Sequence, residues 1–253
     1  MFWSHLTWAE LPDALKAVAH AAILPAGATE QHGPHMGCGM DTEIADTLCR
    51  AVSQATGVPM LPPLPYGCSL GHSRRWPGTI PVQPITLIEL VKQIGEGAYH
   101  SSVRHLFIVN THVTNATPLR CALEMLRAEH DDMMVAVINS PDISPRVRDF
   151  HFADATDWHA NDAETSLMLA VSPEMVQPDK LDQGDDPDRT AGHVFAHPIN
   201  RTSANGVTGF PSQATAAKGQ ETFGWMVDDL SALIRRGLTQ EPPLPHSYFS
   251  SVC

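Results

Sequence analysis

Ala21-Ala22-Ile23-Leu24-Pro25 is a short apolar run without alternation, and Gly27-Ala28-Thr29-Glu30-Gln31-His32-Gly33-Pro34-His35 follows it with turn-forming and metal-ligating residues. The first part has the signature of a strand buried on both faces, because a parallel sheet covered by helices leaves no solvent side to alternate with. Its polar sequel matters because ligands in open α/β sheets bind beyond the carboxyl ends of the strands. The rest of the chain repeats the arrangement. Thr7-Trp8-Ala9-Glu10 has capping-box spacing and predicts a helix to about Val18. From Asp41, the residues Ile44, Ala45, Leu48 and Val52 recur at helical spacing before the strand-like Val58-Pro59-Met60-Leu61. A second capping box, Thr86-Leu87-Ile88-Glu89, predicts a helix that leads to the strand His105-Leu106-Phe107-Ile108-Val109. Ala116 to Ala128 predicts helix, Met133 to Ile138 strand, and Glu164 to Ala170 helix. A last helix is expected from about Ala217 to Arg236, with Leu230, Leu233 and Ile234 facing the core. Strands and helices in turn predict an α/β fold with a mainly parallel sheet covered on both faces. Pro178 to Ser212, rich in Asp, Gly, Pro and Asn, is expected to be loop. No linker, repeat or low-complexity tract interrupts the chain, so one domain over residues 1–253 is expected.

With 43% hydrophobic and 17% charged residues the chain is globular and not disordered. Its 16 basic against 28 acidic residues give a formal charge of -12, which repels phosphate backbones and excludes nucleic acid as an expected partner. No stretch approaches the roughly 18 apolar residues that a membrane span needs, and Met1 to Glu10 carries no basic region ahead of an apolar run. A soluble, cytoplasmic protein without a membrane partner is therefore expected. Five cysteines with no CxxC pair predict reduced thiols instead of a disulfide framework or zinc knuckle.

The polar residues after each predicted strand converge in type. Asp41 follows His35 by six residues, and Asn110-Thr111-His112-Val113-Thr114-Asn115 follows the strand ending at Val109. After Ile138 a longer excursion ends in Asp157-Trp158-His159-Ala160-Asn161-Asp162-Ala163-Glu164-Thr165-Ser166. Histidines with carboxylates suit zinc, manganese or iron, and two metals held close together require a carboxylate that can bridge them. Glu30, His32, Asp41, His112 and Glu164 supply such a set. Taken singly, each is equally an isolated loop polar group or a cap; Asp41 could N-cap the helix that follows. Their arrival at one end of one sheet is what favours a site.

Leu24 through His35, with Asp41 at its spacing, resembles the opening signature of the creatininase family of amidohydrolases. Trp76-Pro77-Gly78-Thr79-Ile80 is similar to that family's Phe-Pro-Gly-Thr segment, and Asn110 through Asn115 to its Asn-Gly-His-Gly-Gly-Asn segment. His159 through Ser166 resembles its His-Ala-Gly followed by Glu-Thr-Ser, and Gly206-Val207-Thr208-Gly209-Phe210-Pro211-Ser212 its Gly-Val-x-Gly-x-Pro stretch. The resemblance runs from about residue 20 to 235. It implies a three-layer α/β/α fold, a homo-oligomer (a hexamer), and a two-metal centre with zinc ahead of manganese or iron. The implied reaction is hydrolysis of a C–N bond in a small cyclic amide, a lactam or creatinine-like molecule. By position, one metal would be held by Glu30, Asp41 and His112, and the other by His32, Asp41 and a further carboxylate. Some members draw that carboxylate from the place where this chain has Thr114, a poor substitute. Members with glycine there are similar in using the glutamate of Glu-Thr-Ser, which assigns the role to Glu164. In the implied mechanism a water between the metals loses a proton near neutral pH and attacks the amide carbon as hydroxide. His159 matches the family's proton-shuttling histidine; the alternative is a capping or merely buried residue.

Departures from the pattern argue against creatinine itself. Trp158 replaces a glutamate, Thr111-His112-Val113-Thr114 a glycine-rich turn, and Asn161-Asp162 a Gly-Glu pair. Trp158 either stacks on a planar substrate or packs against the sheet. In Gly71-His72-Ser73-Arg74-Arg75-Trp76, His72 matches a histidine of the family, and Arg74 and Arg75 either read an anionic group on the substrate or make surface salt bridges. His72, Arg74, Arg75 and Trp158 are thus the expected substrate-binding residues. The competing expectations are a deformylase or peptide-trimming member of the same family, and a metal-binding subunit without catalysis.

Overall fold

Three six-residue strands, β1 (Ala21–Ala26), β2 (His105–Asn110) and β3 (Met134–Asn139), run parallel in the order β1-β2-β3 in the computed structural model, which describes residues 1–73 and 75–244. Ala21 pairs with His105 and His105 with Met134, so the strands finish level at Ala26, Asn110 and Asn139. That level edge brings the polar loops together. On the free side of β1, the expected strand 58–61 pairs only through isolated bridges. Ile23 N–H donates to the Pro59 carbonyl and Leu61 N–H to the Ile23 carbonyl, but Pro59, Pro62, Pro63 and Pro65 have no N–H to extend the ladder.

Side chains alternate across the sheet. Ala21, Ile23, Phe107, Val109 and Ile138 join one apolar cluster, and Ala22, Leu24, Ala26, Leu106 and Ile108 the other. The helices in chain order are α1 (Leu11–Lys16), α2 (Met40–Thr56), α3 (Pro84–His100), α4 (Ala116–Glu129), α5 (Pro145–His151), α6 (Asp162–Val171), α7 (Leu181–Gly184), α8 (Ile199–Thr202) and α9 (Ala216–Leu238). Ile44 and Leu48 of α2, Leu167 of α6, and Leu230 and Ile234 of α9 fill the first cluster, against which Leu233 also packs. Leu87 and Val91 of α3 with Leu119 and Leu126 of α4 fill the second. Helices on both faces of a parallel sheet give a three-layer α/β/α fold. Among the described residues no helix is long and apolar enough to cross a membrane.

Three local expectations are corrected. The helix after Thr7 starts at Leu11 and ends at Lys16; the Glu10 carboxylate accepts hydrogen bonds from the Thr7 N–H and hydroxyl, making only one half of a capping box. Helix α3 begins at Pro84, so Thr86 lies inside its first turn; the fixed φ of proline starts the helix where no capping side chain does. The stretch 178–212 is mainly loop but contains the one-turn helices α7 and α8.

Helix α9 crosses α6 at Gly219, where a Cβ would lie 1.8 Å from the Ser166 carbonyl oxygen. Backbone meets backbone there, so no side chain can yield. Gly219→Ala is expected to cost about 1–3 kcal/mol through overpacking, lowering the thermal midpoint by roughly 2–10 °C. An unchanged midpoint in calorimetry would contradict this account of the crossing.

Candidate metal centre

Four segments deliver a cage of polar side chains to the carboxyl edge of the sheet. The loop after β1 carries Glu30 and His32, and the Glu30 N–H donates to the Cys38 carbonyl at 2.8 Å. Asp41 lies in the first turn of α2 behind an N-cap at Gly39, so it is not itself the cap. His112 follows β2, and Glu164 sits in the first turn of α6. Asn161, a departure from the family pattern, is the N-cap of α6: its side chain accepts from Glu164 N–H at 3.2 Å. All five cage residues are buried, Glu30 and Asp41 to 1% exposure.

The hydrogen bonds fix which imidazole nitrogen faces inward. His32 donates from Nδ1 to the Glu30 carbonyl at 3.0 Å, leaving Nε2 without a hydrogen-bond partner 3.6 Å from Asp41 Oδ1. His112 directs Nε2 at the Cys68 carbonyl (3.0 Å) and the Thr114 hydroxyl (2.6 Å), so Nδ1 faces Asp41 Oδ2 at 3.2 Å and Glu30 Oε2 at 3.6 Å. Such outer partners orient and tune metal-ligating histidines. Thr114 therefore engages the outer side of His112, and its hydroxyl donates to the Cys68 carbonyl.

Charge and burial conflict in this cage. Burial raises the Glu30 carboxyl, with His112 opposing, and burial lifts Glu164 to about 7 against the pull of His32. Burial also penalises charged His32 and His112, yet the surrounding carboxylates outweigh it and carry them to about 10 and about 9. Asp41 is penalised by burial as well, but His112 and His32 hold it well below the usual carboxylate range. Glu30 Oε1, His32 Nε2 and Asp41 Oδ2 are buried without hydrogen-bond partners. Buried carboxylate oxygens without donors, beside an imidazole nitrogen that can give up its proton, fit a divalent cation. Glu30, His32 and Asp41 offer ligand atoms within 4.8 Å of one another, as do His32, His159 and Glu164. Either group could hold a cation, as could Glu30, His72 and His159.

Gln31 organises the remaining histidines and was not singled out from the sequence, although it lies inside the first motif. Its amide nitrogen gives one hydrogen to the Gly206 carbonyl (2.8 Å) and the other to His72 Nδ1 (3.0 Å), while its Oε1 accepts from Gly33 N–H (2.9 Å). His72 consequently carries its proton on Nε2, 3.2 Å from Glu30 Oε1 but not aligned as a hydrogen bond. His159 donates from Nε2 to the Gln31 carbonyl at 2.9 Å, and its Nδ1 lies 3.6 Å from Glu30 Oε2. Burial and then the charge on His32 push His159 well below its usual range and His72 to about 3, so both rings are neutral. Gly206, at φ 90°, is required here because a Cβ would lie 2.2 Å from Gln31 Oε1.

A cavity of about 510 Å³ opens onto this cage and reaches His72, Trp158 and His159. Trp158 is half-buried, with its ring 5.4 Å from His151 and 5.8 Å edge-to-face with Phe152, so it packs on one side and lines the cavity on the other. Arg75 is not brought to the cavity. Its guanidinium donates to the carbonyls of Asn200, Ser203 and Ala204 and stacks on Trp76, which turns three of its five N–H groups to the main chain. Arg74 lies outside the described residues.

A family model described as creatininase, creatinine amidohydrolase, matches residues 4–234. The chain is 33% identical over 246 residues to the mycofactocin precursor peptide peptidase of Mycobacterium ulcerans, covering 91% of this chain and 89% of that one. A solved structure described as "Creatininase Mn" aligns with a TM-score of 0.83 at 27% identity, covering 94% of this chain and 99% of that one. A creatininase mutant of "Zn-Zn type" aligns with a TM-score of 0.82 at 27% identity, over 94% and 98%.

With their pKa raised to about 10 and about 9, His32 and His112 carry protons at pH 7 while the cage is metal-free. A cation taking their lone pairs must displace those protons, so uptake weakens as pH falls. Titrating zinc or manganese into metal-free protein in weak buffer at pH 7 is expected to release about two protons per chain from the imidazoles and a further fraction from Glu164. Uptake without proton release would contradict the protonated state of these rings in the metal-free cage.

Proposed function

The chain belongs to the creatininase family, and on that premise we propose that it hydrolyses the C–N bond of an amide at a centre of two divalent metals. The observation that carries this reading is the buried cage with orphaned Glu30 Oε1, His32 Nε2 and Asp41 Oδ2. Glu30, Asp41 and His112 would hold one ion, and His32, Asp41 and Glu164 the other. Zinc is the first candidate and manganese or iron the alternatives, since the same ligand types serve all three. When bound, two such ions polarise the amide carbonyl and offset the charge that develops on its oxygen.

The chain's own residues handle the protons. His159 is neutral and its Nε2–H is engaged by the Gln31 carbonyl, so Nδ1 is the acceptor on the cage side. It takes a proton there from the attacking water and returns it to the leaving nitrogen. His72 presents an Nε2–H beside Glu30 and can donate to a substrate carbonyl. The substrate is either the small cyclic amide expected from the sequence or a peptide end, and the similarity to a precursor peptide peptidase supports the second. Thr114 faces the outer side of His112, so its lack of a carboxylate does not argue for a catalytically inert subunit. A single domain and a homo-oligomeric, hexameric assembly complete the proposal.

Glu164→Gln is expected to keep one metal per chain and lose the other, measured by elemental analysis after gel filtration. Retention of both would remove Glu164 from the ligand set. His159→Asn is expected to keep both metals while kcat falls about 10²- to 10⁴-fold; an unchanged kcat would assign proton transfer to another group.

A further inference from the structure

The cavity above the cage is larger and more apolar than a ring amide needs. Glu30, Asp41, His112 and Glu164 wall one end of its 510 Å³, and Leu70, Pro84, Ile88, Pro118 and Ile199 line it elsewhere. One water-sized heavy atom occupies roughly 30 Å³ in the liquid, so a ring amide of about eight heavy atoms fills at most about 240 Å³. Half the volume would remain as water against hydrocarbon. The first turns of helices ordinarily expose N–H groups, but Pro84 is the first residue of α3 and Pro118 the third of α4, and neither has one. Among the described residues no lysine or arginine lines the cavity, and Asp157 is its only carboxylate outside the cage. The cage and the apolar wall share one continuous space, so a molecule held at the cage can cover the wall with an apolar part of its own.

We propose that the substrate is an amide carrying a bulky apolar group, which lies along Pro84, Ile88, Pro118 and Ile199 while the scissile bond sits at the cage. This rests on the hydrolase reading and names its substrate class. Among the described residues the wall offers an anionic tail no lysine or arginine, and it favours an aliphatic or aromatic side chain.

The test uses the metal-loaded full chain with two sets of probes. One set is 2-pyrrolidinone and creatinine; the other is glycyl amides of leucine, phenylalanine and tyrosine. The apolar amides are expected to exceed the ring amides in kcat/KM by about tenfold or more, mainly through KM. Ile88→Trp, which fills the wall from α3, is expected to cut that preference by about tenfold. Thr117→Phe narrows the same space from α4 and serves if the first variant does not fold. Preference for ring amides, or an unchanged preference in both variants, overturns the inference while leaving the hydrolase reading intact. A changed oligomeric state in both variants without a change in KM also overturns it, since a second copy then covers the wall. Binding of two metals with no turnover of any probe fails the hydrolase reading and this inference with it.

Discussion

Glu30, Asp41 and Glu164 are each at most 4% exposed, and three carboxylates at that depth repel one another while losing their water. An unpaired buried charge costs several kcal/mol even after relaxation, so the surrounding structure has to supply positive potential. Part of it comes from backbone. Asp41 and Glu164 both sit in the first turns of helices, where the unsatisfied N–H groups favour anions. Ala160 N–H donates to Glu164 Oε2 at 2.6 Å, from a residue held at φ 52°. A non-glycine residue in the left-handed region costs of order 1 kcal/mol, and here that conformation aims an N–H at a buried carboxylate. His32 and His112 supply the rest in the metal-free chain, and a divalent cation would replace their protons with a larger charge. Affinity for metal would thus be the counterpart of the electrostatic conflict.

Orientation comes from a set of contacts around the cage that fix each ring without occupying its inward nitrogen. His112 is turned by the Cys68 carbonyl and Thr114, His32 by its neighbour's carbonyl, and His159 and His72 by the main chain and side chain of Gln31. Gln31 has every hydrogen of its amide committed, so rotating it would break contacts with Gly206, Gly33 and His72 together. The backbone of His159 is paired with Thr208 in both directions, at 3.0 and 2.8 Å. The Gly206 to Gly209 segment therefore positions a histidine and a glutamine that act on the cage, without itself reaching it.

The layers of the fold were legible because β1 and β2 are continuous apolar runs and α2, α4 and α9 keep a regular apolar stripe, features that burial on one or both faces demands. Helix starts were less legible: Pro84 and the Thr7–Glu10 pair show that capping-box spacing alone does not tell a cap from an interior turn. In the cage, the residue types and their place after each strand were readable, since strand ends fix where loops begin. The roles of Gln31 and Thr114 were not, because a hydrogen bond across 175 residues to Gly206, or a hydroxyl turned outward instead of inward, leaves no local trace in sequence. The main-chain partners of Arg75 at 200–204 were unreadable for the same reason, since they lie far along the chain.

The departures at Thr114 and Asn161 are two sides of one arrangement. With a hydroxyl engaged behind His112, the loop after β2 contributes one inward-facing ligand candidate, and α6 offers Glu164 as a further carboxylate. Asn161 caps that helix through Glu164 N–H and ties its own amide nitrogen to the His151 carbonyl and Asp154, which fixes the height of the first turn. Helix α6 is in turn seated on α9 at Gly219, where the two backbones touch. Glu164 is therefore positioned through a path that runs to the C-terminal helix, while Glu30, His32, Asp41 and His112 are positioned by the sheet edge and α2. The two halves meet where α6 packs against α2 and where Thr165 of α6 hydrogen-bonds His35 in the loop after β1. A change at the α6–α9 crossing acts first on Glu164, the cage residue that α6 itself carries.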